Sequence, residues 1–209
     1  MNAIERLVHG QLGEARATRL LRVVDVDPGM VAGDAGQVFR AEFAMALGLC
    51  LYGALLDGVP SAAAYFADRL VAGERVTFDH GAIRTILFPD GPTGALPPGE
   101  AAFRRIFEPL GYTVAGVYPL PRLRMTGRAY SHQDHRETIP QYFVSELHVD
   151  QFGPDFRATA QRVFGRSTDP LGPAARTLLS LMERDRRAPF EVASAALPEI
   201  LEAFGRRHA

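Results

Sequence analysis

The 209-residue sequence contains no lysine; all 23 of its basic side chains are arginine. Chemistry that runs through a lysine Schiff base is therefore excluded. A single cysteine, Cys50 in the apolar run GLCLYG, rules out a disulfide framework and reads as a small buried hydrophobe. Net charge is −1 and no basic run reaches five residues, so no charge pattern draws the chain to nucleic acid or to a membrane. The apolar stretch Phe43–Leu56, interrupted by Gly48 and Gly53, is too short for a bilayer and reads as a buried helix. At the N-terminus, MNAIERLVHGQL carries charge where a secretory leader needs an apolar core, so the cytoplasm is the expected address. A G-x-S-x-G elbow, a P-loop and a G-x-G-x-x-G fingerprint are all missing, which removes support for serine-hydrolase, nucleotide-hydrolase and Rossmann readings.

With 47% hydrophobic and 22% charged residues, the composition is that of an ordinary globular chain. Its length suits one compact domain, 1–209, with a helical part (1–73), a sheet module (74–152) and a second helical part (153–209). Helical periodicity runs from about Asn2 to Arg22 and from Gly36 to Leu56, and Pro60 opens a third helix through Leu70. At Glu74 the signal changes, because ERVTFDHGAIRTILF alternates β-branched, aromatic and polar residues as a strand does. Then EAAFRRIFEPLG reads as an amphipathic helix ending at Gly111, and strands are expected over Tyr112–Tyr118, Leu123–Tyr130 and Gln141–Val149. Three more helices are expected, over Asp155–Phe164, Pro173–Asp185 and Ala188–Arg207. No internal repeat is visible. The order β-α-β-β-β is that of the vicinal oxygen chelate (glyoxalase-like) repeat, so the expected class is α+β: a curled βαβββ sheet with helical N- and C-terminal segments.

Three metal-capable side chains fall on the strand-like stretches: His80, His132 and Glu146. Two imidazoles and a carboxylate on one face of a metal, with open positions opposite, is the pattern of non-haem iron oxygenases. Spacings of 52 and 14 residues require a folded sheet to gather them. Strand alternation puts Phe78, His80, Ala82, Arg84 and Ile86 on one face, and Tyr142, Val144, Glu146 and His148 on one face of another strand. His80 and Arg84 then stand roughly 13 Å apart, a span suited to a metal at one end of a small dicarboxylate and a guanidinium at the other. The bland alternatives are a core histidine at His80, a solvated loop residue at His132, and an Arg–Glu bridge at Glu146. His135 competes with His132, and nothing in the spacing chooses between them; His148 is an alternative ligand or a group supporting one. His9 and His208 are expected at the surface.

The segments DHGAIRT, IFEPLGYTVAGVYPLPRLRM and IPQYFVSELHVDQF resemble the 2-oxoadipate dioxygenase/decarboxylase family, the D-2-hydroxyglutarate synthases of bacterial lysine catabolism, over about Val59 to Phe152. The resemblance implies a vicinal oxygen chelate-like fold and Fe(II) held by two histidines and one glutamate. It also implies conversion of 2-oxoadipate and O₂ to 2-hydroxyglutarate and CO₂. Carried over, it makes His80 and Glu146 ligands, His132 the second histidine after Tyr130-Ser131, and Arg84 the residue that grips a substrate carboxylate. Characterised members are about twice as long and use two sheet modules, so a chain of this size has the option of pairing modules across a homodimer. Two other classes use the same cup: a lyase or isomerase with Zn²⁺, Ni²⁺ or Co²⁺ and no O₂, and a binding protein with a vestigial metal site.

Overall fold

A computed structural model describes residues 1–31 and 36–205. The chain opens with two helices, α1 (Ala3–Leu12) and α2 (Glu14–Val23), where the periodicity suggested one. Gly13 separates them with φ +80°, a conformation that glycine adopts without penalty. A capping box starts α1: Asn2 accepts from the Glu5 backbone and Glu5 accepts from that of Asn2. Next come a short strand β1 (Gln37–Phe39), the long helix α3 (Arg40–Gly58) and α4 (Pro60–Ala72), which stops at Gly73 in the left-handed region.

The sheet module follows in the expected order: β2 (His80–Leu87), α5 (Ala101–Phe107), β3 (Tyr112–Leu120), β4 (Met125–His132) and β5 (Gln141–His148). The helices α6 (Pro154–Phe164) and α7 (Pro173–Asp185), a short β6 (Arg187–Pro189) and α8 (Phe190–Glu202) complete the described chain. Expected positions 206–209, including His208, lie outside the described residues. Besides three single 3-10 turns, two strands were not anticipated: β1 and β6 pair antiparallel, and β6 takes the first residues of what read as one long C-terminal helix. The first strand of the sheet also starts six residues later than expected, at His80 where Glu74 was read, and Val76 instead bridges Val24.

The four-stranded sheet runs in the order β2-β5-β4-β3. β2 and β5 are parallel over eight pairs, from His80↔Gln141 to Leu87↔His148, while β4 is antiparallel to both β5 and β3. Cross-strand partners share a face, so the register assigns every side chain. One face holds Tyr142, Val144 and Tyr130 of the main core, with Ile83 packed against it. There Phe107 of α5 packs on Tyr142, Tyr130 and Tyr112 at centroid distances of 4.8, 5.2 and 5.3 Å. The other face carries His80, Ala82, Arg84 and Gln141, all exposed. α3, the one described helix long and apolar enough to cross a membrane, is instead the centre of the helical layer, with Phe43 through Leu47 fully buried.

Candidate functional site

His80 begins β2, and its side chain is 52% exposed. Its Nδ1 lies 2.9 Å from the Asp79 carboxylate. An ionised carboxylate only accepts, so the pairing puts the proton on Nδ1 and leaves the Nε2 lone pair facing out, the arrangement in which metal-binding imidazoles are commonly held. Two pleats along the same face, Arg84 donates from Nε to Ser145 Oγ at 2.8 Å. Among the described residues no carboxylate pairs with Arg84, and its guanidinium edge is open to the exposed face. Beside them, a trough of about 1360 Å³ follows the free edge of β2, walled by Tyr52, Leu55, Phe78, Phe103 and Phe204.

Glu146 belongs to the opposite face. It is level with Thr85 and Thr126, both of which alternate with the open-face residues. Only 6% exposed, it accepts from the Glu100 backbone N–H at 2.7 Å and faces Arg128 at 3.4 Å. A Cβ on Gly99 would lie 2.1 Å from Glu146 Oε2, so the turn before α5 closes directly on this carboxylate. Glu146 anchors that turn to the sheet, an Arg–Glu bridge with a backbone donor added. Neighbouring Glu100, itself buried, accepts a hydrogen bond from the Tyr130 hydroxyl, and burial pushes its carboxyl above the usual range despite Arg128.

His132 ends β4 fully buried, where an exposed loop residue was the alternative. Its Nε2 is 3.0 Å from the Leu110 carbonyl, and its Nδ1 accepts from the backbones of Asp134 and His135 at 3.2 and 3.3 Å. Both ring nitrogens are thus committed, and neither is left for a metal. Burial lowers its pKa to about 4, against a smaller opposing pull from Asp134. His135 lies 3.9 Å from Asp27, and His148 sits 2.9 Å from Thr126 Oγ1 on the Glu146 face. His9, expected at the surface, is mostly buried and pairs with Glu14 at 2.8 Å.

The expected ligand set is therefore not gathered, and among the described residues no three His, Cys, Asp or Glu side chains come together as a metal site. What the open face does gather is one imidazole hydrogen-bonded to Asp79 and one guanidinium hydrogen-bonded to Ser145. The hydrogen bonds to Asp79 and Ser145 were not expected from the sequence. Asp79 is adjacent to His80 in DHGAIR, a visible signal; Ser145 becomes visible only once the β2–β5 register is known.

No protein-family model and no curated protein matches the sequence. Among solved structures, the chain is similar to a protein from Ralstonia eutropha JMP134 provisionally described as a glyoxalase superfamily member, with 44% identity and a TM-score of 0.94. That match covers 99% of this chain and 64% of the other, so the chain spans less than two thirds of the protein it resembles. The hydroxyglutarate synthase from Pseudomonas putida matches at 22% identity and a TM-score of 0.52, covering 80% of this chain and 42% of that one. The same synthase in complex with 2-oxoadipate matches at 22% identity and a TM-score of 0.50, over 78% and 39% of the two chains. The fold is thus that of the R. eutropha protein, of the vicinal oxygen chelate type.

Proposed function

We propose that the protein acts on a small 2-oxo dicarboxylic acid of the 2-oxoadipate kind, as a metal-dependent dioxygenase and decarboxylase that yields a 2-hydroxy acid and CO₂. The observation that supports this most is the pairing of His80 and Arg84 on one exposed face, with Nε2 and the guanidinium edge both open. Arg84 binds a substrate carboxylate by a planar two-point contact, and His80, held by Asp79, offers Nε2 to the metal. Fe(II), when bound, supplies the redox chemistry with O₂.

This chain does not by itself fit a complete iron centre. The open face carries no Asp or Glu, since Gln141, Phe143, Ser145 and Leu147 are its β5 residues and Met125, Gly127, Ala129 and Ser131 its β4 residues. The missing carboxylate therefore comes from polypeptide outside this face. A homodimer that apposed two such faces would add a second His80 and no Asp or Glu from the paired β5 and β4 strands. The R. eutropha and P. putida proteins are longer than this chain, which supports a further module facing this one.

Anaerobic loading with Fe(II), elemental analysis of bound metal, and O₂ uptake with 2-oxoadipate test the reading. With polypeptide that supplies the facing carboxylate present, O₂ consumption matched by CO₂ release, and lost in His80→Ala, is the expected result. Similarity to a glyoxalase superfamily protein favours a second reading, a lyase or isomerase that uses Zn²⁺, Ni²⁺ or Co²⁺ without O₂. Turnover with those metals under argon would replace the first reading with the second. Failure to bind any metal would leave a small-molecule-binding protein.

A further inference from the structure

Ser145 has no part in the reading above, yet among the described residues it is the one side chain that hydrogen-bonds the Arg84 guanidinium. It stands directly beside Arg84 in the β2–β5 register, and it is 6% exposed. The direction of each hydrogen bond is fixed by chemistry. Arginine has no acceptor, so Ser145 Oγ accepts from Nε at 2.8 Å and spends its own proton on the Ile83 carbonyl at 3.2 Å. Thr85 donates to the Ser145 carbonyl at 3.3 Å and ties the same pair of strands together.

We propose that Ser145 is a positioning residue, which fixes the plane of the Arg84 guanidinium so that its two Nη groups face an acidic ligand. The proposal rests on the reading of Arg84 as a carboxylate-binding group. A hydroxyl suits the task better than the obvious alternatives. An aspartate at 145 would pair with the guanidinium and neutralise it, whereas an alanine would leave a long, exposed side chain free to sample many rotamers that must be given up on binding. A serine holds the Nε edge without competing for the charge.

The test uses ¹⁵N-labelled protein and the Nε–H signals of its 23 arginines, with Arg84 assigned by the signal lost in Arg84→Lys. In the native protein the Arg84 Nε–H should exchange slowly with water. Ser145→Ala should speed that exchange roughly ten-fold, the scale of one lost hydrogen bond, and Ser145→Thr should restore it. Titrated on the same signal, the dissociation constant for 2-oxoadipate should rise roughly three- to ten-fold in Ser145→Ala and return in Ser145→Thr. Native-like exchange in Ser145→Ala would overturn the proposal. If the native Arg84 signal ignores 2-oxoadipate, the functional reading fails, and the exchange rates of the two variants then decide the positioning role alone.

Discussion

His80 and Glu146 lie on adjacent parallel strands but on opposite faces of the sheet, His80 level with Gln141 and Glu146 level with Thr85. No rotamer change unites them. Only a one-residue slip of β5 against β2 would do so, and that slip would turn Tyr142 and Val144 out of the core.

Glu146→Ala should therefore act on stability. It leaves the buried Glu100 N–H and Arg128 without their acceptor, a loss of about 1–3 kcal/mol. For a chain of this size the midpoint of thermal unfolding should fall by roughly 3–10 °C, with metal uptake unaltered. Calorimetry paired with elemental analysis checks both; a variant that loses metal at an unchanged Tm would return Glu146 to the ligand set.

The buried His132 predicts an acid-sensitive fold. Its folded pKa of about 4 lies below the unfolded value, so the unfolded chain binds more protons in between. Stability is complete above about pH 6.5 and declines toward pH 4, by on the order of 3 kcal/mol over the whole window. Urea denaturation at stepped pH should show that slope, and His132→Gln should flatten it while metal uptake persists. A slope that survives in His132→Gln assigns the acid sensitivity to another group.

Arg84→Lys should keep both fold and metal, because no carboxylate depends on the guanidinium among the described residues. An ammonium cannot reproduce the planar two-point contact, and losing a charge-assisted contact costs about 1.5–3 kcal/mol. The apparent KM for the acidic substrate should rise roughly ten- to a hundred-fold. Wild-type kinetics in this variant would remove the reason to expect an acid.

Asp79→Asn should weaken metal uptake roughly ten- to a hundred-fold with the melting temperature unchanged, since the carboxylate orients His80 from an exposed position. Equilibrium dialysis against a divalent metal measures it. Equal affinity in the two proteins would show that His80 needs no such support.

Much of this architecture is legible in the sequence, and the limit of legibility has a physical origin. The alternation within each strand was readable, down to His80 sharing a face with Arg84 and Glu146 with His148, because pleating is local. Whether two strands present those residues to the same side depends on register, which tertiary packing sets. The choice between His132 and His135 fails for a similar reason: the Leu110 carbonyl that occupies His132 approaches from a turn closed by Gly111. β1 and β6 are three residues each and too short to show alternation, and Gly13 breaks a helix whose apolar pattern runs on across it.

The parallel pairing of β2 with β5 also bears on how the sheet assembles. β3, β4 and β5 are consecutive antiparallel neighbours joined by short connections, whereas each β2 residue meets a partner 61 positions further on. Closing so long a loop gives up chain entropy before any ladder bond is made, which favours late arrival of β2. Substitutions in β2 should then speed unfolding far more than they slow folding, so the strand that bears His80 and Arg84 is the one whose loss shortens the lifetime of the native state.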